Sequence, residues 1–360
     1  MSSKITYASG LLALVSGGLL SGSAVWPMKL MKRYQFEHWW FIGMLTALFV
    51  VPWTFTLLGC PNVMKAYGEV PLRSLVTANL WSVGWGVANV LCGLCYLRLG
   101  MALTAAIITG LGSVVSVLLP LIVKGSGVFK EAGNLNSPAG LTLLCGVGVM
   151  LTAVVCASLA GARRDRLKTS EAPHPGAFAG ALLMALVAGI LSAGMGLSFV
   201  YGQGPIIEAM KRQGAAEIPA NFAVWSAGLL GGSLVSVLYP AWLMSRRRTW
   251  HLLTASKSDF LLAILIGLNG CAAAFLMGFG MRMLGTLGAS VGLGIQSASW
   301  MLGGQIVGFF SGEWRGVSGP PRTKMYLAVA CLIAAILIMM VGNSLGNGAA
   351  LFHIPHTDAP

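Results

Sequence analysis

Acidic side chains are scarce in this chain. Its 360 residues hold ten Asp and Glu against 23 Lys and Arg, and charged residues of both signs make up only 9%. A soluble globular chain averages about 25% charged, so an ordinary water-exposed domain surface is excluded. None of the ten acids stands near the middle of an apolar stretch. No Gly-rich loop ending in Gly-Lys-Ser/Thr occurs, which argues against ATP-driven chemistry within the chain. His-Glu-x-x-His is absent too, and Gly-x-Ser-x-Gly occurs only in apolar sequence, at Gly288-Ala289-Ser290-Val291-Gly292 and Gly342-Asn343-Ser344-Leu345-Gly346, where it makes no strand-to-helix nucleophile elbow, so the common zinc-protease and serine-hydrolase readings have no support. Cysteine is sparse and odd in number, seven in all; Cys92-x-x-Cys95 has no partner His or Cys pair, so thiols packed between helices explain it better than a metal or redox site.

What is present is apolar sequence. Hydrophobic residues make up 56% of the chain, and ten stretches are long enough to cross a hydrocarbon core of about 30 Å. They lie near 7–28, 39–58, 74–97, 101–123, 139–161, 177–201, 219–244, 259–281, 286–311 and 323–346. Lipid cannot satisfy exposed backbone groups, and the alternating ten-residue pattern of barrel strands is missing, so these are helices. The expected fold class is an all-α polytopic membrane protein. The first stretch lacks a small-x-small cleavage site and is expected to be a retained helix rather than a signal peptide.

The net charge of +13 is explained by topology and requires no nucleic-acid partner. Lys and Arg concentrate in alternate loops: fifteen fall in the loops carrying Lys29, Lys32, Arg33, Arg98, Arg163, Arg164, Arg166, Lys168, Arg246, Arg247, Arg248, Lys257, Arg315, Arg322 and Lys324, against eight on the other side. Positive loops face the cytoplasm, which places both termini outside it.

The longest polar stretch, 162–175, divides the chain into two halves, 1–161 and 176–346, with a tail at 347–360 expected to be disordered. The halves echo each other in order at an offset of about 171–185. Ala13-Leu14-Val15-Ser16-Gly17 matches Ala185-Leu186-Val187-Ala188-Gly189, and Arg98-Leu99-Gly100 matches Arg282-Met283-Leu284-Gly285. Five spans per half is odd, so the second half must start on the opposite side of the membrane. The expected architecture is ten helices in two inverted five-helix repeats, which suits alternating access to one site and points to transport.

Candidate site residues follow from large polar or aromatic side chains at membrane depth. Trp81, Trp85 and Asn89 stand at i, i+4 and i+8 in the third stretch. Asn221 and Trp225 pair in the seventh. In the ninth, Gln296 and Trp300 interrupt a four-residue Gly spacing that otherwise reads as close helix packing. The sixth ends in Tyr201-Gly202-Gln203-Gly204-Pro205, expected to be an unwound segment lining a cavity. Each amide has an alternative role in interhelical hydrogen bonding. Together, indole faces and amides fit a neutral ligand with apolar faces and many hydroxyls, such as a sugar. Glu208 and Glu37 are the candidate proton-coupling carboxylates, both at span ends, where a solvated interfacial role is the alternative. No cofactor or metal is expected.

Several local patterns carry a family resemblance: Phe36-Glu37-x-x-Trp40 after a basic run; Pro52-Trp53 with Pro61-Asn62; Trp85-Gly86-x-x-Asn89 followed by Arg98-Leu99-Gly100-Met101; Ser192-Ala193-Gly194-Met195 leading to Pro205-x-x-Glu208; and Glu313-Trp314. In these the chain resembles the bacterial L-rhamnose–proton symporter family of the drug/metabolite transporter superfamily. The resemblance implies ten helices, an inner-membrane location and sugar uptake driven by protons. It singles out Trp85, Asn89 and Glu208 first. The ninth stretch is richer in Gly than that resemblance leads one to expect, which leaves rhamnose or another deoxysugar as the substrate. A monomer working with its sugar, a proton and the bilayer is expected. An exporter of drugs or metabolites on the same fold, and a membrane enzyme acting on lipid-linked sugars, are the competing readings.

Overall fold

A computed structural model describes residues 2–100, 103–104, 107–108, 110–112, 137–168, 175–284 and 288–346. The described residues are helical throughout, with no strand among them. The helices are α1 (Ser2–Ser23), α2 (Phe36–Leu45), α3 (Val51–Gly59), α4 (Val63–Glu69), α5 (Leu72–Leu99), α6 (Pro138–Lys168), α7 (Pro175–Arg212), α8 (Glu217–Ala223), α9 (Leu230–Arg247), α10 (Lys257–Met283), α11 (Gly288–Phe310) and α12 (Pro320–Gly346). Two π-helical turns, Thr46–Val50 and Val224–Gly228, interrupt the α2–α3 and α8–α9 runs. The expected fourth span, 101–123, and the tail at 347–360 lie largely or wholly outside the described residues.

Among the described residues, seven helical segments are long and apolar enough to cross a membrane, or eight if the bent α8–α9 run counts as one span. Helix α11 is not among them, and its surroundings explain why. Every residue from Val291 to Ser299 is buried. A helix enclosed by protein needs no lipid-compatible surface, so it can carry Gln296, Ser297, Ser299 and Gln305.

Two expectations about helix breaks need correction. The segment Tyr201–Pro205 is not unwound: α7 runs unbroken from Pro175 to Arg212 with Pro205 inside it. One proline costs a single backbone bond, and neighbouring helices make that tolerable in a span. At 38 residues this helix is ~57 Å long and outreaches the hydrocarbon core. The break lies instead in the next span, where Glu217–Gly228 and Leu230–Arg247 meet at 61°. The cause is the π turn, whose end Leu229 leaves helical geometry. The polar stretch expected as a loop at 162–175 is helical as far as Lys168, its basic residues falling on the C-terminal turns of α6, where cations favour the helix dipole.

The packing follows a regular scheme. Helix α6 lies along α12, off to one side. Helix α1 packs on α10 and α11, and α5 packs on α7 and α9. The α2–α3 run meets α8–α9 and α10 at the centre, where the two π turns touch each other. Glycines permit the closest crossings. A Cβ on Gly86 would fall on the backbone of Gly232, one on Gly22 would overlap the Trp300 carbonyl, and one on Gly194 the Trp81 carbonyl. Small residues at such crossings let backbones meet without side chains between them.

Polar contacts gather at the two ends of this bundle. At one end, Glu37 accepts from Arg247 (3.1 Å) and Glu313 accepts from Lys29 (2.5 Å) and Arg164 (3.1 Å). There also, Asp259 Oδ2 accepts from the backbone N–H groups of Lys32, Arg33 and Tyr34. These are the ends that carry the fifteen-residue basic set. At the other end, Glu69 accepts from Arg212 and Gln213, and Lys211 pairs with Glu217.

Candidate functional site

A cavity of about 200 Å³ opens at the centre of the bundle. Helices α1, α2, α5, α7, α8, α10 and α11, the two π turns, the 103–112 stretch and the first residues of α3 contribute to its wall; α6 and α12 do not. Its wall holds Trp85, Asn89, Trp225, Gln296 and Trp300, five of the eight residues expected to bind substrate. It also holds Trp40, Tyr96, Ser192, Ser297, Met44 and Met277, none of them expected to bind substrate, although Trp40 and Ser192 stand in the patterns that carry the family resemblance. Among the described residues, not one Asp, Glu, Lys, Arg or His lines it.

The π turns shape this wall. The first places Ala47 and Leu48 on the cavity, with Pro52 one turn further on. The second places Trp225, and the bend behind it brings α9 back against α5. Trp225 is fixed by edge-on contacts with Phe199 (5.3 Å between centroids) and Trp85 (6.4 Å). Beyond it a row of stacked rings, Phe55, Phe222, Phe275 and Phe279, joins α3, α8 and α10.

The amides divide by role. Asn89 donates to Ser236 Oγ of α9 (3.1 Å) and to Met44 Sδ (3.2 Å). This is interhelical bonding, yet its carbonyl oxygen has no partner among the described residues, so it serves both as a strut and as an open acceptor. Gln296, 6% exposed, faces the cavity with its amide unengaged among the described residues. The indole N–H of Trp300 has no hydrogen bond of good geometry, the Tyr96 hydroxyl being its polar neighbour.

The other expected residues lie elsewhere. Gln203 and Asn221 line a separate void of about 10 Å³ behind Phe222 and Trp225, room for about one water. Asn221 spends its donor on Glu217 of its own helix, while the buried Gln203 Oε1 is unpartnered. Trp81 is 45% exposed on the bundle's outside. Four residues turn a helix by ~400°, so an i, i+4, i+8 row drifts ~40° per step and leaves the cavity by its first member. Glu208 is exposed on α7, away from the cavity wall. Glu37 is wholly buried, paired with Arg247 in a crevice at the basic end that Arg98 and Tyr239 also line.

The cysteines are all free. Cys92 lines the cavity, while Cys95 packs against the Ala181 carbonyl. Among the described residues no cluster of His, Cys, Asp or Glu could hold a metal.

Comparison with known proteins adds one consistent finding. The family model for the L-rhamnose-proton symport protein (RhaT) matches residues 6–350. The chain is similar to the L-rhamnose-proton symporter of Yersinia pestis bv. Antiqua (strain Antiqua), 28% identical over 334 residues, covering 90% of this chain and 93% of that protein. The L-rhamnose-proton symporters of Yersinia pestis (strain Pestoides F) and Yersinia pseudotuberculosis serotype O:1b (strain IP 31758) are likewise 28% identical over 335 residues, at the same coverage.

Proposed function

This chain belongs to the L-rhamnose-proton symport protein family, and from that premise we propose that it takes up L-rhamnose, or a deoxysugar close to it, together with protons. The observation that carries this reading is the central cavity with four Trp, two amides and, among the described residues, no charged residue on its wall. A sugar's C–H faces lie against indole rings, and its hydroxyls need neutral donors and acceptors. A cationic drug would want a carboxylate there, which makes export of cations the weaker reading. The relatives are symporters by name, so the chain is a carrier and not an enzyme.

The transport unit is ten spans in two inverted repeats, 1–161 and 176–346, in the inner membrane with both termini outside the cytoplasm. Exchanging each span with the one five places later supports this. The α1–α10 contact becomes α7–α5, the contact of the α2–α3 run with α10 becomes that of the α8–α9 run with α5, the α2–α9 and α3–α8 contacts exchange places, and the α6–α12 contact maps onto itself. A π turn interrupts the second span of each half, 178 positions apart. Substrate sits between the halves against Trp85, Asn89, Trp225, Gln296 and Trp300. Rocking of one half on the other exposes it to each side in turn.

Among the described residues the cavity wall has no carboxylate, so the proton is taken up away from the sugar. Glu37 suits that task better than the exposed Glu208, because its pairing with Arg247 joins the two halves. Opening that end would separate the pair and leave the carboxylate free to bind a proton.

Thermal shift of the purified protein against a panel of hexoses and deoxyhexoses tests the substrate. A ligand at 100 times its Kd stabilises by about 2.7 kcal/mol. A selective shift with L-rhamnose or a near relative is the expected result, with proton-dependent uptake in liposomes. Asn89→Ala and Trp85→Ala abolish uptake while leaving folded protein; normal uptake in both removes this site. No shift with any sugar transfers the search to amphiphilic cations and small metabolites.

A further inference from the structure

Two Trp residues on the cavity wall, one from each half of the chain, have an indole N–H with no hydrogen bond of good geometry among the described residues. Trp300 Nε1, from α11, has the Tyr96 hydroxyl nearby. Trp40, from α2, is 98% buried with its ring on the cavity wall, and its Nε1 has no partner among the described residues. Packing holds Trp40 firmly in place. Its ring is stacked on Phe36 (5.4 Å between centroids, 30°) and edge-on to Trp39 (5.3 Å, 72°). Gly93 is flush against it, since a Cβ there would come within 2.6 Å of the ring. A side chain held so firmly, with its only polar atom unpaired, is the exception to the rule that buried donors find acceptors.

We infer that Trp40 is a specificity-determining residue of the sugar site, its indole N–H donating to one hydroxyl oxygen of the bound sugar. This rests on the sugar-uptake reading above and adds to it a named donor from the first half of the chain. The N–H has almost no accessible surface. The ring is fixed, so the wall beside it gives way, and the flexible Met44 thioether on that wall is suited to doing so. With the sugar in place the orphan donor is satisfied. A sugar lacking that hydroxyl leaves it unpaired and is rejected, which is how a site built to bond a hydroxyl discriminates. Together with Trp300, Trp40 lets one ligand take hydrogen bonds from α2 and α11 at once, so full affinity requires both walls to be close.

Binding of L-rhamnose and of its 1-, 2-, 3- and 4-deoxy analogues to wild type and Trp40→Phe provides the test. Phe keeps an apolar ring and removes the donor. The expected result is a roughly two- to tenfold weaker Kd for L-rhamnose in the variant, with one analogue bound equally by both proteins. Affinity for L-rhamnose unchanged in Trp40→Phe overturns the inference. So does an equal loss for every analogue, which marks a packing role. If Trp40→Phe does not fold, benzothienylalanine at position 40 has the shape of Trp without the N–H, and the same outcomes apply. Wild type that binds no sugar sinks the uptake reading itself, a result separate from either of these.

Discussion

The Glu37–Arg247 pair is unequal, and its inequality can be measured. Glu37 has no exposed side-chain surface, whereas Arg247 is 53% exposed. The only ion-pair partner of Glu37 among the described residues is that guanidinium, which reaches both of its oxygens from one nitrogen. In Arg247→Met the carboxylate stays buried and unpaired. Breaking a buried pair in this way costs about 3–5 kcal/mol, and the adjoining crevice, which admits some water, points to the lower end. In Glu37→Gln the half-exposed arginine returns to water and the amide oxygen still accepts, so the loss is about 1 kcal/mol. Thermal unfolding in detergent, followed by tryptophan fluorescence, reads the difference. At about 2 °C per kcal/mol for a chain of this size, Arg247→Met should lose about 6 °C and Glu37→Gln about 2 °C. The double variant should resemble Glu37→Gln, because no unpaired buried charge is left in it. Equal losses in the two single variants, or a larger loss in Glu37→Gln, would refute the reasoning and make the pair an ordinary surface contact.

Two further outcomes follow from the packing and from the basic end. Gly86→Val places a side chain on the Gly232 backbone, which cannot yield as a flexible side chain would, so the α5–α9 crossing should fail and monodisperse protein be lost on size exclusion; Gly68→Ala, with nothing within 4 Å of its Cβ, should instead gain about 0.5 kcal/mol in the short α4 helix. Burial raises the Glu313 carboxyl, but Lys29 and Arg164 outweigh it and hold the group below its ordinary 4.5. A depressed carboxylate contributes stability that is complete above the unfolded value and lost as pH falls through the folded one. Melting temperature should therefore fall below about pH 4.5, and Glu313→Gln should flatten that fall; an identical pH profile in the variant would remove Glu313 as its source.

Much of the fold was legible because the bilayer imposes a length on any helix that crosses it. The stretches near 7–28, 74–97, 139–161, 259–281 and 323–346 return as α1, α5, α6, α10 and α12. The seventh stretch returns as well, but broken, and no residue-type signal marks Val224–Gly228 as a π turn. A π turn is one extra residue in a helical register, decided by how α8 and α9 must pack on α3 and α5. The sixth stretch showed the converse, since Gly202, Gly204 and Pro205 look like an interruption while α7 runs through them. Local propensity is overruled where neighbouring helices supply the packing.

The cavity was legible in part for a similar reason. Membrane-depth Trp, Asn and Gln are expensive unless they line space or bond across helices, which marked Trp85, Asn89, Trp225, Gln296 and Trp300. Trp40 entered only through a family pattern and Tyr96 not at all, because both stand near helix ends, where aromatic residues ordinarily mark the membrane interface. Composition and span length determined by themselves that this chain is a helical membrane protein with a neutral, amide- and indole-rich interior, since both depend only on what lipid tolerates. Which of those side chains meet in one cavity, that Trp81 and Glu208 do not, and that Glu37 is tied to Arg247 were decided by tertiary structure alone. Rotation about a helix axis and the crossing of helices far apart in the chain set those positions, and neither is written in local sequence.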